Sequence, residues 1–308
     1  MKILGFVRRR LARLVLTVFI IATLVFFLVR VVPGDPAAVM AGLDADAESI
    51  EAIRARMGTD EPIVLQYLNW LWDALRFDFG ESFYSDEPAM RLILARFPLT
   101  LVLAVSAFVF SLAVAIPVGV LSAVHRWGPV DYAGMVYSQL GMALPGFWIG
   151  ILLLLVFSVR LQWFPLFGAD TLRHFVLPAV ALGLGRSALL VRYVRGSTLD
   201  ELDREYVVTA ESMGLRRSSI RYRHVLKNAL LPVITIAGIQ FGYMLGGTII
   251  IEQVFSLPGV GRLLLSAIQQ RDFAVIQAGV VFVAVIFSSI NFAADVLYSA
   301  VNPRIRVG

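Results

Sequence analysis

The sequence predicts an all-α, polytopic membrane protein with six transmembrane helices and an extracytoplasmic helical segment after the first. Three observations predict it. Hydrophobic residues make up 58% of the 308, and only 16% are charged, below the rough quarter of a soluble domain; mean hydropathy is +0.79. The uncharged runs Phe97–Val124, Tyr132–Val159, Asn228–Ile251 and Phe273–Ala294 hold 28, 28, 24 and 22 residues, each more than the roughly 20 a bilayer requires. Basic residues flank these runs instead of covering a soluble face, so the net charge of +5 does not indicate a nucleic-acid partner.

The first helix comes from Leu14–Val29, sixteen uncharged residues between Arg13 and Arg30. The two arginines are placed to snorkel at opposite faces. The alternative, a cleaved signal peptide, is weakened by a run long for its apolar region. Pro33–Arg96 is polar and carries twelve of the 22 acidic residues. Within it Ala45–Met57 has helical spacing, and Ile63–Phe77 predicts a second helix. Tyr67, Trp70 and Trp72 on that helix suit either a membrane interface or a small helical core.

Four spans follow from the uncharged runs, and a weaker one from Leu172–Val191, interrupted by Arg186. Pro117 and Pro145 are expected to kink the second and third spans. His125–Asp131 turns the chain on one side and Arg160–Arg173 on the other. With both termini on the same side, that side holds sixteen Lys/Arg against four in the two short loops opposite. Positive residues favour the cytoplasm, so both termini are placed there.

Arg192–Lys227 is a second polar stretch, with eight Lys/Arg between two apolar runs. It reads as a helical hairpin lying on the membrane surface. A helix from about Asp200 to Met213 is stopped by Gly214, since glycine accepts the left-handed conformation of a helix end. Ser218 or Ser219 is placed to cap the next helix.

Glu205-Tyr206-Val207-Val208-Thr209-Ala210-Glu211-Ser212-Met213-Gly214 resembles the EAA loop of binding-protein-dependent ABC importer permeases, with Val208 and Thr209 where the motif has Glu and Ala. Arg223-His224-x-Leu226-Lys227-Asn228-Ala229-Leu230-x-Pro232 is similar to the peptide and nickel (dipeptide/oligopeptide) branch. So are Pro33-Gly34-Asp35-Pro36, Asp78-Phe79-Gly80-Glu81-Ser82, Arg96-Phe97-Pro98-Leu99-Thr100-Leu101, Glu252-x-x-Phe255-x-x-Pro258-Gly259-x-Gly261-Arg262 and Asn302-Pro303-Arg304-Ile305-Arg306. The Pro-Gly-x-Gly stretch is expected to form a re-entrant or surface loop near the pore mouth. The resemblance covers nearly the whole chain and implies the type I ABC importer permease fold. It divides the chain into residues 1–96, the first helix with the extracytoplasmic segment, 97–302, a five-helix permease domain containing the coupling hairpin 192–227, and 303–308, a cytoplasmic tail.

The chain has no ATP-binding loop. Its only lysines, Lys2 and Lys227, follow no glycine-rich stretch. It has no cysteine, and His125, His174 and His224 are far apart, so neither a thiolate nor a histidine metal site is expected. Charged groups inside spans cost about 2.5–3.5 kcal/mol near the bilayer centre and are functional suspects for that reason. Arg186, Glu252 and Asp295, with Asn291 one turn before Asp295, are therefore candidates for a pore or a subunit interface.

The resemblance implies a permease of a bacterial cytoplasmic-membrane importer of di- or oligopeptides, working by alternating access. Its implied partners are a second homologous permease, two ABC ATPase domains and an extracytoplasmic substrate-binding protein, with membrane lipid around the spans. ATP and Mg are expected at the ATPase subunits, with no cofactor on this chain. Glu205, Tyr206, Val207, Ala210, Glu211, Met213, Gly214 and Leu215 are the expected ATPase contact. The alternatives are a stand-alone secondary transporter or channel, an ABC permease for nickel complexes or another small solute, and a membrane scaffold that transports nothing.

Overall fold

The computed structural model describes residues 2–31, 46–48, 51, 54 and 60–301. The expected helix over Ala45–Met57 lies largely outside these residues, and the Pro33–Pro36 and Asn302–Arg306 motifs lie wholly outside them. Ten helices are named: α1 Lys2–Val31, α2 Ile63–Ala74, α3 Ala89–Val124, α4 Pro129–Ala143 and α5 Gly146–Leu153; α6 Arg173–Leu202, α7 Glu205–Ser212, α8 Arg217–Val254, α9 Val260–Gln270 and α10 Phe273–Val301. A π-helical stretch, Leu154–Arg160, continues α5. Among the described residues there is one isolated β-bridge, Glu81 to Pro88, and no strand.

Among the described residues five helices are long and apolar enough to cross a membrane: α1, α3, α6, α8 and α10. The span expected over Tyr132–Val159 is broken at Pro145, where a kink is expected. Helices α4 and α5 are bent by 100° at their junction, and make a sixth crossing if the pair is one span. Pro145 has no N–H to donate, and its ring disfavours a helical conformation in the residue before it. Leu144 is accordingly extended, with φ −86° and ψ 129°. Pro117, expected to act similarly, sits inside α3 without interrupting it.

Helix α6 is the central element, packed against α3, α4, α5 and α8. Lipid tails are as apolar as leucine, so helices associate in a membrane through close fit and hydrogen bonds. At Gly183 on α6, a Cβ would lie 2.7 Å from the Ala107 carbonyl of α3. Ser111 Oγ lies 2.8 Å from the Gly183 carbonyl, tying the two helices at that approach. Leu103, Ala107, Ala181, Met244 and Ile251 fill the core around it.

Helices α1 and α10 flank this core as an antiparallel pair. Arg10 Nη1 meets Asp295 Oδ2 at 2.7 Å near one end. Val25 and Val29 pack on Phe273 at the other. On that second side α2 lies against α1. Thr23 Oγ1 is 2.8 Å from the Tyr67 hydroxyl, and Arg30 Nε donates to Gln66 Oε1 at 3.0 Å. Phe26 packs on Tyr67 and Trp70, whereas Trp72 faces outward, 58% exposed. Tyr67 and Trp70 thus fit the small-core reading, and Trp72 lies outside that cluster. The link before α3 is fastened by Ser82 Oγ, which donates to buried Asp272 at 2.5 Å.

Candidate coupling helix and the polar groups within the spans

The polar stretch does not fold with the expected boundaries. Helix α6 continues to Leu202, absorbing Asp200. Arg204 is extended, and α7 begins only at Glu205, whose carboxylate suits the positive end of the helix. Gly214 ends it as expected, with φ +75°. Its N–H donates to the Glu211 carbonyl at 2.9 Å, and that of Leu215 to the Ala210 carbonyl at 3.2 Å, a Schellman closure. The expected serine cap is absent. Arg216 is the extended residue before α8, and no side chain caps that helix start.

Val207 is the anchor of α7. It is buried against Ile220 and Val225, with Leu202, Tyr206 and Ala210 around it. It therefore holds the short helix to its base, its side chain taken up by the chain's own core. The Tyr206 hydroxyl donates to Glu201 Oε2 at 3.0 Å and accepts from Asn228 Nδ2 at 3.5 Å. Burial holds this phenol above its ordinary pKa; the Asn228 amide pulls it down, and the Glu201 carboxylate pushes it up.

The outward side consists of Val208, Met213 and Leu215, which are 62%, 75% and 43% exposed. Exposed Glu205 and Glu211 stand beside them, Glu211 3.7 Å from the Arg217 guanidinium. Val208 was not among the expected contacts. It is one residue, and so about 100° of helical rotation, from the residue that was.

The base beneath α7 is braced. Asp131, at the start of α4, is fully buried. It accepts from Arg195 Nε at 2.5 Å and Nη2 at 2.7 Å, and from the Trp127 backbone N–H at 3.0 Å. Ser197 Oγ donates to the Ala229 carbonyl at 2.7 Å, joining α6 to α8. Sequence reasoning missed Asp131, because its partner lies 64 positions away.

The four candidate pore or interface residues separate into different roles. Glu252 is fully buried inside the chain and reaches no surface. It accepts from Thr100 Oγ1 at 2.7 Å and from the Arg262 N–H at 3.0 Å. It thereby pins the turn between α8 and α9, where a Cβ on Gly259 would lie 2.3 Å from the Glu252 carboxyl carbon. The Pro-Gly-x-Gly stretch, expected as a re-entrant or surface loop, is a short turn that leads directly into α9. Asp295 is taken up by Arg10. Asn291 instead faces α8, its Oδ1 3.5 Å from the position of a Cβ on Gly242. Arg186 is half-buried; its Nη1 donates to Gln240 Oε1 at 3.1 Å, and its guanidinium lies 5.8 Å from the Tyr243 ring centre. Among the described residues no carboxylate pairs with it, and no cluster of three potential metal ligands occurs.

Comparison with known proteins gives one answer. The family described as "Binding-protein-dependent transport system inner membrane component" matches residues 115–307, and its N-terminal counterpart matches residues 3–104. The glutathione transport system permease protein GsiC of Escherichia coli (strain K12) is 40% identical over 303 residues, covering 98% of this chain and 99% of the relative. GsiC of Salmonella typhi matches with the same identity and coverage. Among solved structures, an inward-facing form of the MetNI methionine ABC transporter aligns with a TM-score of 0.58 at 20% identity, over 70% of this chain and 99% of that one. A second crystal form aligns with a TM-score of 0.56.

Proposed function

The chain belongs to the binding-protein-dependent transport system inner membrane components, the permease subunits of ABC importers, and from that membership we propose that it moves peptides inward across a bacterial cytoplasmic membrane, with α7 docked on an ATPase subunit. The observation that carries the coupling role is the two-sided build of α7. Val207 fixes it to α6 and α8, while Val208, Met213 and Leu215 are left outward with no partner in the chain's own core. Peptide as the cargo class is supported by the likeness to a glutathione permease along nearly the whole chain.

In this reading a second permease completes the pore, a binding protein delivers the peptide outside, and both termini lie in the cytoplasm. ATP and its Mg are held by the ATPase pair, whose closing draws the coupling helices together and opens the path outward; hydrolysis reverses it. Moving a two-state gate from 1:99 to 99:1 takes about 5.5 kcal/mol of differential binding. A helix fixed at its base and closed at its C-terminus transmits such a bias without fraying.

The test is to purify the tagged chain from its native membrane in mild detergent and identify what accompanies it. The expected result is a second permease and P-loop ATPases, with ATP-dependent peptide uptake by the reconstituted complex. Recovery of the intact chain alone would overturn the importer assignment in favour of a stand-alone carrier.

A further inference from the structure

Arg186 is a fixed positive charge in the middle of α6, thirteen residues from Arg173 and sixteen from Leu202. At 1.5 Å per residue it lies about 20 Å from Arg173 and about 9 Å from Arg192, where the polar stretch begins, so it sits inside the apolar run, more than a turn from its end. Its hydrogen-bond partner is a neutral amide, Gln240, itself only 7% exposed. The ring beside it, Tyr243, is 52% exposed, so the cluster opens to the outside of this chain. The other charged candidates within the spans are partnered: Asp295 by Arg10, while Glu252 accepts from Thr100 and Arg262.

We infer that Arg186, held by Gln240 and flanked by Tyr243, is a binding site within the spans for a carboxylate of the transported solute. Gln240 accepts from one guanidinium nitrogen and orients the group. The remaining N–H donors are free to form the paired, charge-assisted bonds that arginine makes with carboxylates. The exposed phenol of Tyr243 adds an edge on which the chain of the solute can rest. The inference builds on the peptide-importer reading, since every peptide with a free C-terminus carries the required group.

The test uses the full complex, reconstituted with its partner permease, ATPases and binding protein. The probes are glutathione, with two carboxylates, and its diamide, with none. Uptake of either probe by the unaltered complex establishes the importer reading separately. The quantity read is the uptake ratio of glutathione to diamide, measured with binding protein saturated so that delivery does not set it. Arg186→Gln should lower that ratio at least tenfold, and Arg186→Lys should restore part of it. Gln240→Glu supplies an internal carboxylate without removing the arginine and should also lower the ratio, which keeps the test decisive if Arg186→Gln fails to assemble. An unchanged ratio in Gln240→Glu or in an assembled Arg186→Gln complex overturns the inference. So does equal loss of both probes, which would make the arginine a gate or a contact with the second permease.

Discussion

Arg195 grips Asp131 through two nitrogens, Nε and Nη2, each bonded to a different carboxylate oxygen. The pair locks the corner between α3 and α4 onto α6 a few residues before the coupling helix. Removing one partner of a buried pair leaves the other charge uncompensated, at a cost of about 3–5 kcal/mol. Asp131→Ala should therefore lower the thermal midpoint of the purified chain strongly. Adding Arg195→Ala should cost less than the sum of the single losses. Full additivity in the double-mutant cycle would show that the two groups act independently.

Glu252→Ala removes the acceptor of Thr100 Oγ1 and of the Arg262 N–H. Each buried donor left alone costs about 1–3 kcal/mol. Limited proteolysis should then cut between Ser256 and Arg271, where the unaltered chain resists. Association with ATPases should be retained, because α7 lies at the opposite end of α8. A proteolysis pattern identical to the parent's would mean that Glu252 does not hold the turn.

Val208→Asp and Met213→Asp should reduce co-purification of ATPases at least tenfold without lowering the thermal midpoint. Val207→Ala should do the reverse, with a loss of about 2 kcal/mol from removed apolar burial and a docking face still in place. Gly214→Glu should insert normally and abolish transport. Its backbone must hold a left-handed conformation, which costs a residue with a Cβ about 1–2 kcal/mol, and it adds a negative charge beside Met213. Normal uptake by the Gly214 variant would contradict the coupling role of α7.

The absence of cysteine makes topology directly readable. Met213→Cys should react with a membrane-impermeant maleimide only in inverted vesicles, and Trp72→Cys only in intact spheroplasts. The reverse pattern would invert the orientation drawn from the arginine count. ATPase subunits added to inverted vesicles should protect Met213→Cys from the reagent.

The long apolar helices and the helix end at Gly214 were legible because hydropathy reports length and glycine accepts a left-handed backbone. Direction was less legible. Tyr132–Val159 has the length of one straight helix, yet Leu144–Pro145 folds it back by 100°. Pro117 lies inside α3 without a break, so proline alone did not distinguish the two cases. Which face of α7 is buried was not readable: Val207 and Val208 are the same residue type, and the burial of Val207 depends on Ile220 and Val225 across the turn. The charge partners were hidden by distance along the chain, 64 positions for Arg195 and Asp131 and 285 for Arg10 and Asp295.

The unbroken course of α6 makes it a lever. Its arm runs from Leu202, beside the coupling helix, to Arg186, about 24 Å at 1.5 Å per residue. Pivoting at Leu202, a tilt of about 10° would carry Arg186 sideways by about 4 Å over that arm, farther than the 3.1 Å bond to Gln240 is long. A tilt that small is enough to exchange one hydrogen-bond partner of Arg186 for another. On the inference drawn for Arg186, the stiffness of one helix would set how small a tilt releases a bound carboxylate.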